Sequence, residues 1–191
     1  MNRTNESPVL MAVHAHPDDE VVSTGGALAH YAARGARVVL VCATRGEVGE
    51  IVDPSIGEEA RPRLAEIREA ELRCSCRTLG IQELVILGYR DSGMAGTADN
   101  DNPHAFCRAD MDEAVGRLVR AVRAERPQVM VTYDEKGGYG HPDHVMAHRV
   151  AVAAFEAAGD PSRYPNEGTP WRPSKLYYAA FPQSQLVAID R

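Results

Sequence analysis

The sequence predicts an α/β fold: a Rossmann-like doubly wound sheet, mostly parallel, with helices on both faces. Two observations predict it. Short apolar runs of strand length alternate with stretches of helical period along the chain, and such βαβ units build a parallel sheet covered on both sides. The three long loops, at residues 44–61, 88–108 and 133–141, each follow a strand. Open parallel sheets bind their ligands at the carboxyl ends of the strands, so the chemistry is expected where these loops meet.

The elements follow in order. Residues 9–15 (VLMAVHA) and 37–43 (RVVLVCA) read as the first two strands, 84–87 and 129–132 as the third and fourth, and 176–180 as a fifth. Helices are expected at about 23–33, 62–79, 109–125 and 142–158. Pro62 and Pro142 suit the first turn of a helix, where a missing N–H costs nothing. Gly35 and Gly80 follow helical runs as stops, and Asp110 or Asp112 is positioned to cap the third helix.

The chain has 191 residues, which suits one domain over 1–191 with a core of its own. Its 27 acidic residues outnumber 21 basic ones, and without a basic stripe this excludes a nucleic-acid partner. No apolar run approaches the roughly 20 residues of a membrane span. The opening MNRTNESPVLMAV is too briefly apolar for a signal peptide, so a cytoplasmic location is expected. Cys42, Cys74, Cys76 and Cys107 have neither zinc-ribbon spacing nor the setting of a disulfide framework, and read as plain thiols.

Five of the seven histidines fall in two short clusters. H-A-H-P-D-D-E (residues 14–20) leaves the first strand, and Y-G-H-P-D-H-V-M-A-H (139–148) leaves the fourth. In a doubly wound sheet these strands can be neighbours at the switch point, which would bring both clusters to one crevice. A single His or Asp at a helix start is usually a cap or a solvated residue. Here His-Pro-Asp occurs twice, each copy at a strand-to-helix junction. Three consecutive acids, Asp18, Asp19 and Glu20, repel one another unless a cation or a helix N-terminus offsets them. His and Asp together are the ligand set of a catalytic zinc, which keeps one position open for water.

Other residues carry less. His30 and His104 read as surface residues and His14 as core, while His148 follows His144 at i,i+4 without the HExxH pattern. Arg68 shares a helical stripe with Leu64 and Leu72; it either pairs with Glu71 or is held at the crevice for an anionic or hydroxyl-rich substrate. Glu47, Glu50 and Asp91 lie on the loops after strands, where they can accept hydrogen bonds from sugar hydroxyls. A dinucleotide site is excluded, because no G-x-G-x-x-G follows the first strand and the second ends in Cys-Ala-Thr. Gly137, Gly138 and Gly140 let their loop fold closely around a metal.

At these residues the chain resembles the LmbE-like zinc deacetylases, the GlcNAc-phosphatidylinositol de-N-acetylase family. The A-H-P-D-D-E motif stands at residues 15–20 and H-P-D-H at 141–144. R-G-E-V-G-E (45–50), Y-R-D-S-G-M-A-G-T (89–97) and T-Y-D-E-K-G-G-Y-G-H-P-D-H (132–144) are similar to the mycothiol-pathway branch, a GlcNAc-inositol deacetylase and a mycothiol-conjugate amidase. The resemblance implies zinc held by His16, Asp19 and His144, with Fe2+ as the alternative ion. It implies Asp18 as general base and His141 as the group that stabilises the oxyanion or protonates the leaving amine. Asp143 is then expected to orient His141, Tyr139 to stand at the pocket mouth, and Glu50, Arg68 and Asp91 to hold the sugar. Spacing alone decides neither between Asp18 and Asp19 nor between His144 and His148.

The implied function is a zinc-dependent N-deacetylase that hydrolyses the N-acyl amide of a GlcNAc-inositol-like amino sugar. The expected partner is a small-molecule amide or N-acetyl sugar. The alternatives are a mycothiol-S-conjugate amidase and, from another class, a catalytically inactive metal-binding domain. G-D-P-S-R-Y-P (159–165) and P-W-x-x-S-K-L-Y-Y (170–178) are more similar to the amidase. Mycothiol-branch relatives continue past residue 191, so either the substrate is smaller or a second subunit in a homo-oligomer completes the pocket.

Overall fold

The computed structural model describes residues 7–180. The polar opening at 1–6 and the last part of the expected one-domain span, 181–191, lie outside the described residues. Five strands form one sheet in the order β3-β2-β1-β4-β5, with every neighbouring pair parallel. They are β1 Val9–His14, β2 Arg37–Cys42, β3 Glu83–Ile86, β4 Val129–Tyr133 and β5 Lys175–Ala179. The chain winds outward from β1 through β2 to β3, then crosses back to β4 on the other side of β1. The switch point therefore lies between β1 and β4, whose register pairs Leu10 with Val129 and Ala12 with Val131.

Alternation along the two central strands builds two cores. Met11, Val13, Val39 and Val41 face helices α3 (Met111–Glu125) and α5 (Pro142–Ala157), meeting Leu118, Val122, Met146 and Val150. Ala12, Val38, Leu40 and Cys42 face α1 (Asp19–Ala32) and α2 (Leu64–Leu79), meeting Leu28, Leu72 and Cys76. Covered on both sides, β1 and β2 need apolar residues at nearly every position, which is why they read as continuous runs. Each large aliphatic side chain buried there contributes about 1.5–3 kcal/mol.

The element ends differ from expectation in informative ways. β1 stops at His14, so the pleat does not carry on to His16. α1 starts at Asp19, four residues before its expected start, because the acids of the first cluster form its first turn. α2 starts at Leu64; Pro62 sits in the 3-10 segment Glu58–Arg63 that leads into it. Pro142 does open α5, and Gly80 closes α2 at φ 74°. Asp110 caps α3 by accepting from the Glu113 N–H at 2.9 Å, whereas Asp112 accepts from the Tyr164 hydroxyl. Between β4 and α5 lies a single turn, α4 (Gly137–Gly140).

Candidate active site

The first cluster sorts its acids by backbone geometry. Asp18 holds φ 102°, a conformation a non-glycine residue adopts at a cost of about 1–3 kcal/mol. Its N–H donates to Glu20 Oε2 at 3.0 Å, and Glu20, 1% exposed, is held in turn by the Ser75 hydroxyl. This sharp turn sends the three consecutive carboxylates in different directions. Asp18 points to solvent with its side chain 68% exposed, Asp19 turns inward, and Glu20 packs between α1 and α2.

Asp19 meets His16 and His144 at the switch point. His16 Nδ1 lies 3.2 Å from His144 Nε2 and 3.4 Å from Asp19 Oδ2, and His144 Nε2 lies 3.3 Å from Asp19 Oδ1. Four ligands bound tetrahedrally at 2.0–2.1 Å stand about 3.3 Å from one another. The His16–His144 nitrogen pair and the pair of His144 with Asp19 Oδ1 stand at that spacing, with His16 facing the other Asp19 oxygen, so the donor set suits an ion of zinc's size. The far side of each imidazole is also held. His16 Nε2 faces Asp143 Oδ2 at 3.1 Å and Asp91 Oδ1 at 3.4 Å, which places its proton there and leaves Nδ1 as the donor. His144 Nδ1 faces the Gly137 carbonyl at 3.2 Å, which leaves Nε2 free in the same way. Gly137 has φ 66°, and a Cβ there would stand 2.7 Å from the His144 Cβ, so only glycine lets the loop approach so closely.

The electrostatics point to a cation. Burial by itself would lower His16, yet its hydrogen bonds to Asp143, Asp19 and Asp91 carry it well above the usual imidazole range. Burial would raise Asp19, but hydrogen bonds from His144 and His16 hold it well below the carboxylate range. With no metal, a protonated His16 supplies the positive charge that the surrounding carboxylates favour.

Other groups of donors converge here too: those of His16, His141 and His144, and those of His16, Asp91 and Asp143, each lie within 4.8 Å of one another. Neither group is as free to bind. His141 Nδ1 accepts the Asp143 N–H at 3.1 Å, since His141 is the N-cap of α5. Asp91 and Asp143 stand behind His16, on its other ring nitrogen.

A crevice of about 620 Å³ opens over this cluster, with Asp18, Glu50, Arg68, Asp91, Tyr139 and His141 in its walls. The loops after β1, β2, β3 and β4 all reach it, as the loop lengths predict. Arg68 does not pair with Glu71. Its guanidinium donates to Asp18 Oδ2 at 2.9 Å, to the Pro17 carbonyl at 2.6 Å and to the Gly46 carbonyl at 2.9 Å. Asp18 is raised above the ordinary carboxylate range by desolvation first, with Asp19 adding to the rise and Arg68 opposing it. Tyr139 stands at the mouth, 70% exposed, with its ring edge-on to His144. Glu50 is exposed on the rim.

Several expectations are corrected. Asp143 does not orient His141 through its carboxylate, which bonds His16 and takes two hydrogen bonds from Ser92, one from the N–H at 2.9 Å and one from the hydroxyl. The i,i+2 spacing puts the two side chains on different sides of the first helical turn, and only the Asp143 backbone reaches the imidazole. Burial, then the positive charge of His16, lower the His141 pKa to about 4, which favours its neutral form. Asp91 is 3% exposed and its carboxylate is engaged by His16, the Gly93 N–H and the Val48 N–H, rather than offered to the crevice. Glu47 accepts from the Arg45 N–H and lines a separate hollow beside Tyr89 and Arg90.

His14 is fully buried against Thr24, as expected of a core residue, and His148 is engaged by the Tyr133 carbonyl at 2.8 Å. Two residues escaped the sequence reading. Ser92 is 0% exposed behind Asp143, and Tyr133 touches Asp19 and His144. Both lie within the motif stretches 89–97 and 132–144, but nothing in their type or spacing marks them for this place.

Comparison with known proteins gives the family and the fold. The model of a family described as PIG-L, GlcNAc-PI de-N-acetylase, matches residues 11–155. Over 185 residues the chain is 54% identical to 1D-myo-inositol 2-acetamido-2-deoxy-alpha-D-glucopyranoside deacetylase 1 of Catenulispora acidiphila, covering 93% of this chain and 57% of that protein. The chain thus spans little more than half the length of that relative. The conserved protein TT1542 of Thermus thermophilus superimposes with a TM-score of 0.67 at 31% identity, covering 92% of this chain and 67% of the other. The N,N'-diacetylchitobiose deacetylase of Pyrococcus horikoshii shares the fold at 23% identity, with a TM-score of 0.73 over 96% of this chain and 67% of its own.

Proposed function

This chain belongs to the GlcNAc-PI de-N-acetylase family, and from that premise we propose that it is a zinc-dependent N-deacetylase of a GlcNAc-inositol-like amino sugar. One observation carries the reading: His16, Asp19 and His144 converge to within 3.2–3.4 Å, directly beneath a crevice walled by Asp18 and His141. When bound, the ion supplies Lewis acidity, polarising the amide carbonyl and making water a better nucleophile near neutral pH. Zn2+ suits the His2Asp donor set, and Fe2+ remains the alternative.

The residues divide the remaining work. Asp18, exposed at the crevice wall and steadied by Arg68, accepts a proton from the attacking water and returns it to the departing nitrogen as the C–N bond breaks. The products are then a carboxylic acid and an amine, which exchange a proton to leave as carboxylate and ammonium. His141 is neutral, and its Nδ1 is occupied by the Asp143 N–H. It therefore presents Nε2–H to the negative charge that develops on the carbonyl oxygen. Glu50 and the guanidinium N–H groups of Arg68 not spent on Asp18, Pro17 and Gly46 receive sugar hydroxyls, while Asp91 acts from behind through His16. Tyr139 closes over the mouth.

The test is amine release from N-acetylglucosaminyl-inositol, from simpler N-acetylated sugars and from a mycothiol-type conjugate, with zinc or Fe2+ added to metal-free protein. Metal-dependent release, strongest on the inositol glycoside, is the expected result. Absence of release from every substrate with metal bound would leave a metal-binding domain without catalysis.

A further inference from the structure

We infer that Tyr133 is a positioning residue that holds two metal ligands in place before any ion arrives. The inference rests on reading His16, Asp19 and His144 as the metal site. Tyr133 ends β4 and is 4% exposed. Its oxygen accepts the Ala15 N–H at 2.8 Å and lies 2.6 Å from Asp19 Oδ2. The amide can only donate, so the hydroxyl proton points to Asp19 and the direction of the chain is set. The His16 N–H also donates to Oδ2, at 2.9 Å. Two donors thus fill Oδ2, and Oδ1 remains as the free oxygen on the His144 side.

The ring does a second job. It lies nearly parallel to the His144 imidazole, with centroids 4.1 Å apart and planes at 12°. Meanwhile the Tyr133 carbonyl takes the His148 ring one helical turn further along α5. A buried tyrosine ordinarily needs one partner for its hydroxyl, and any carbonyl would serve. Tyr133 instead touches a candidate ligand from each side of the switch point, Asp19 after β1 and His144 after β4. Without it, the incoming ion would have to order side chains carried by different loops.

The experiment measures Zn2+ and Co2+ dissociation constants by chelator competition on metal-free wild type, Tyr133→Phe and Tyr133→Leu, with the melting temperature of each metal-free protein. Tyr133→Phe, which removes one oxygen and keeps the ring, should weaken binding about 10–100-fold, the range for outer partners of metal ligands. Tyr133→Leu should weaken it further, and the Co2+ absorption bands of both should shift. Excess metal should restore turnover in Tyr133→Phe. Wild-type affinity in Tyr133→Phe, counted per folded molecule, overturns the inference while leaving the metal site standing. A wild type that binds neither ion overturns the metal site itself, and the role of Tyr133 with it.

Discussion

Two buried charged hubs sit on opposite sides of this molecule, and they are balanced in opposite ways. Arg123 on α3 is 4% exposed and donates to the carbonyls of Ala158, Asp160, Arg163, Tyr164 and Gly168, at 2.5–3.4 Å. Its charge is met by neutral backbone dipoles, which it ties into one loop after α5. His16 is similarly buried, yet three carboxylates, Asp19, Asp91 and Asp143, stand 3.1–3.4 Å from its ring. The first hub is closed, with nothing left to bind. The second gathers more negative charge than one imidazole can answer, and buried charge without compensation is costly. What separates a structural pin from a binding centre here is that surplus of acceptors.

The largest predicted effect belongs to the open hub. Asp18→Asn keeps the shape and should lower kcat/KM about 10²–10⁴-fold, the range for loss of a general base, with metal content unchanged. An active Asp18→Asn would break the catalytic assignment. Arg123→Ala should do the reverse. It strands several buried carbonyls and should cost about 3 kcal/mol in urea unfolding, while the folded fraction keeps its turnover.

A third prediction separates the hubs by pH. Metal-free His16 has a folded pKa raised above its usual 6.5, so its contribution to stability is complete below about pH 6.5 and is lost as pH rises through the folded value. Metal-free protein should therefore lose stability above neutral pH, and the gain from added Zn2+ should grow. The partners of Arg123 are backbone carbonyls, which carry no titratable proton. A flat pH profile for metal-free protein would show that His16 is not the standing cation. Ser92→Ala gives the smallest effect, about a tenfold loss in metal affinity, since it loosens Asp143 while His16 keeps Asp91. Unchanged affinity would place Ser92 with the structural residues.

Much of this was legible in the sequence. The fold, the sheet covered on both faces and the meeting of the two His-Asp clusters follow from alternating periods and from loops placed after strands. The family resemblance implies His16, Asp19 and His144 as ligands, and spacing does not choose among their neighbours. Asp18 parts from Asp19 because the turn at φ 102° sends them apart, and His148, with its Nδ1 on the Tyr133 carbonyl, is in neither of the donor groups that converge on His16 among the described residues. The resemblance implies that Asp143 orients His141, and the folded structure instead puts its carboxylate on His16 and Ser92.

What the sequence determined by itself is local: which segments are strands, which faces they bury, and which residue types leave the strand ends. Side chains repeat every two or 3.6 residues, so a single segment records its own period. The tertiary structure alone decided who touches whom across the switch point. His16 and His144 are 128 positions apart, Asp19 and Tyr133 are 114 apart, and Arg68 reaches Asp18 across 50. No periodicity records such pairs, because they exist only once the sheet brings β1 and β4 side by side.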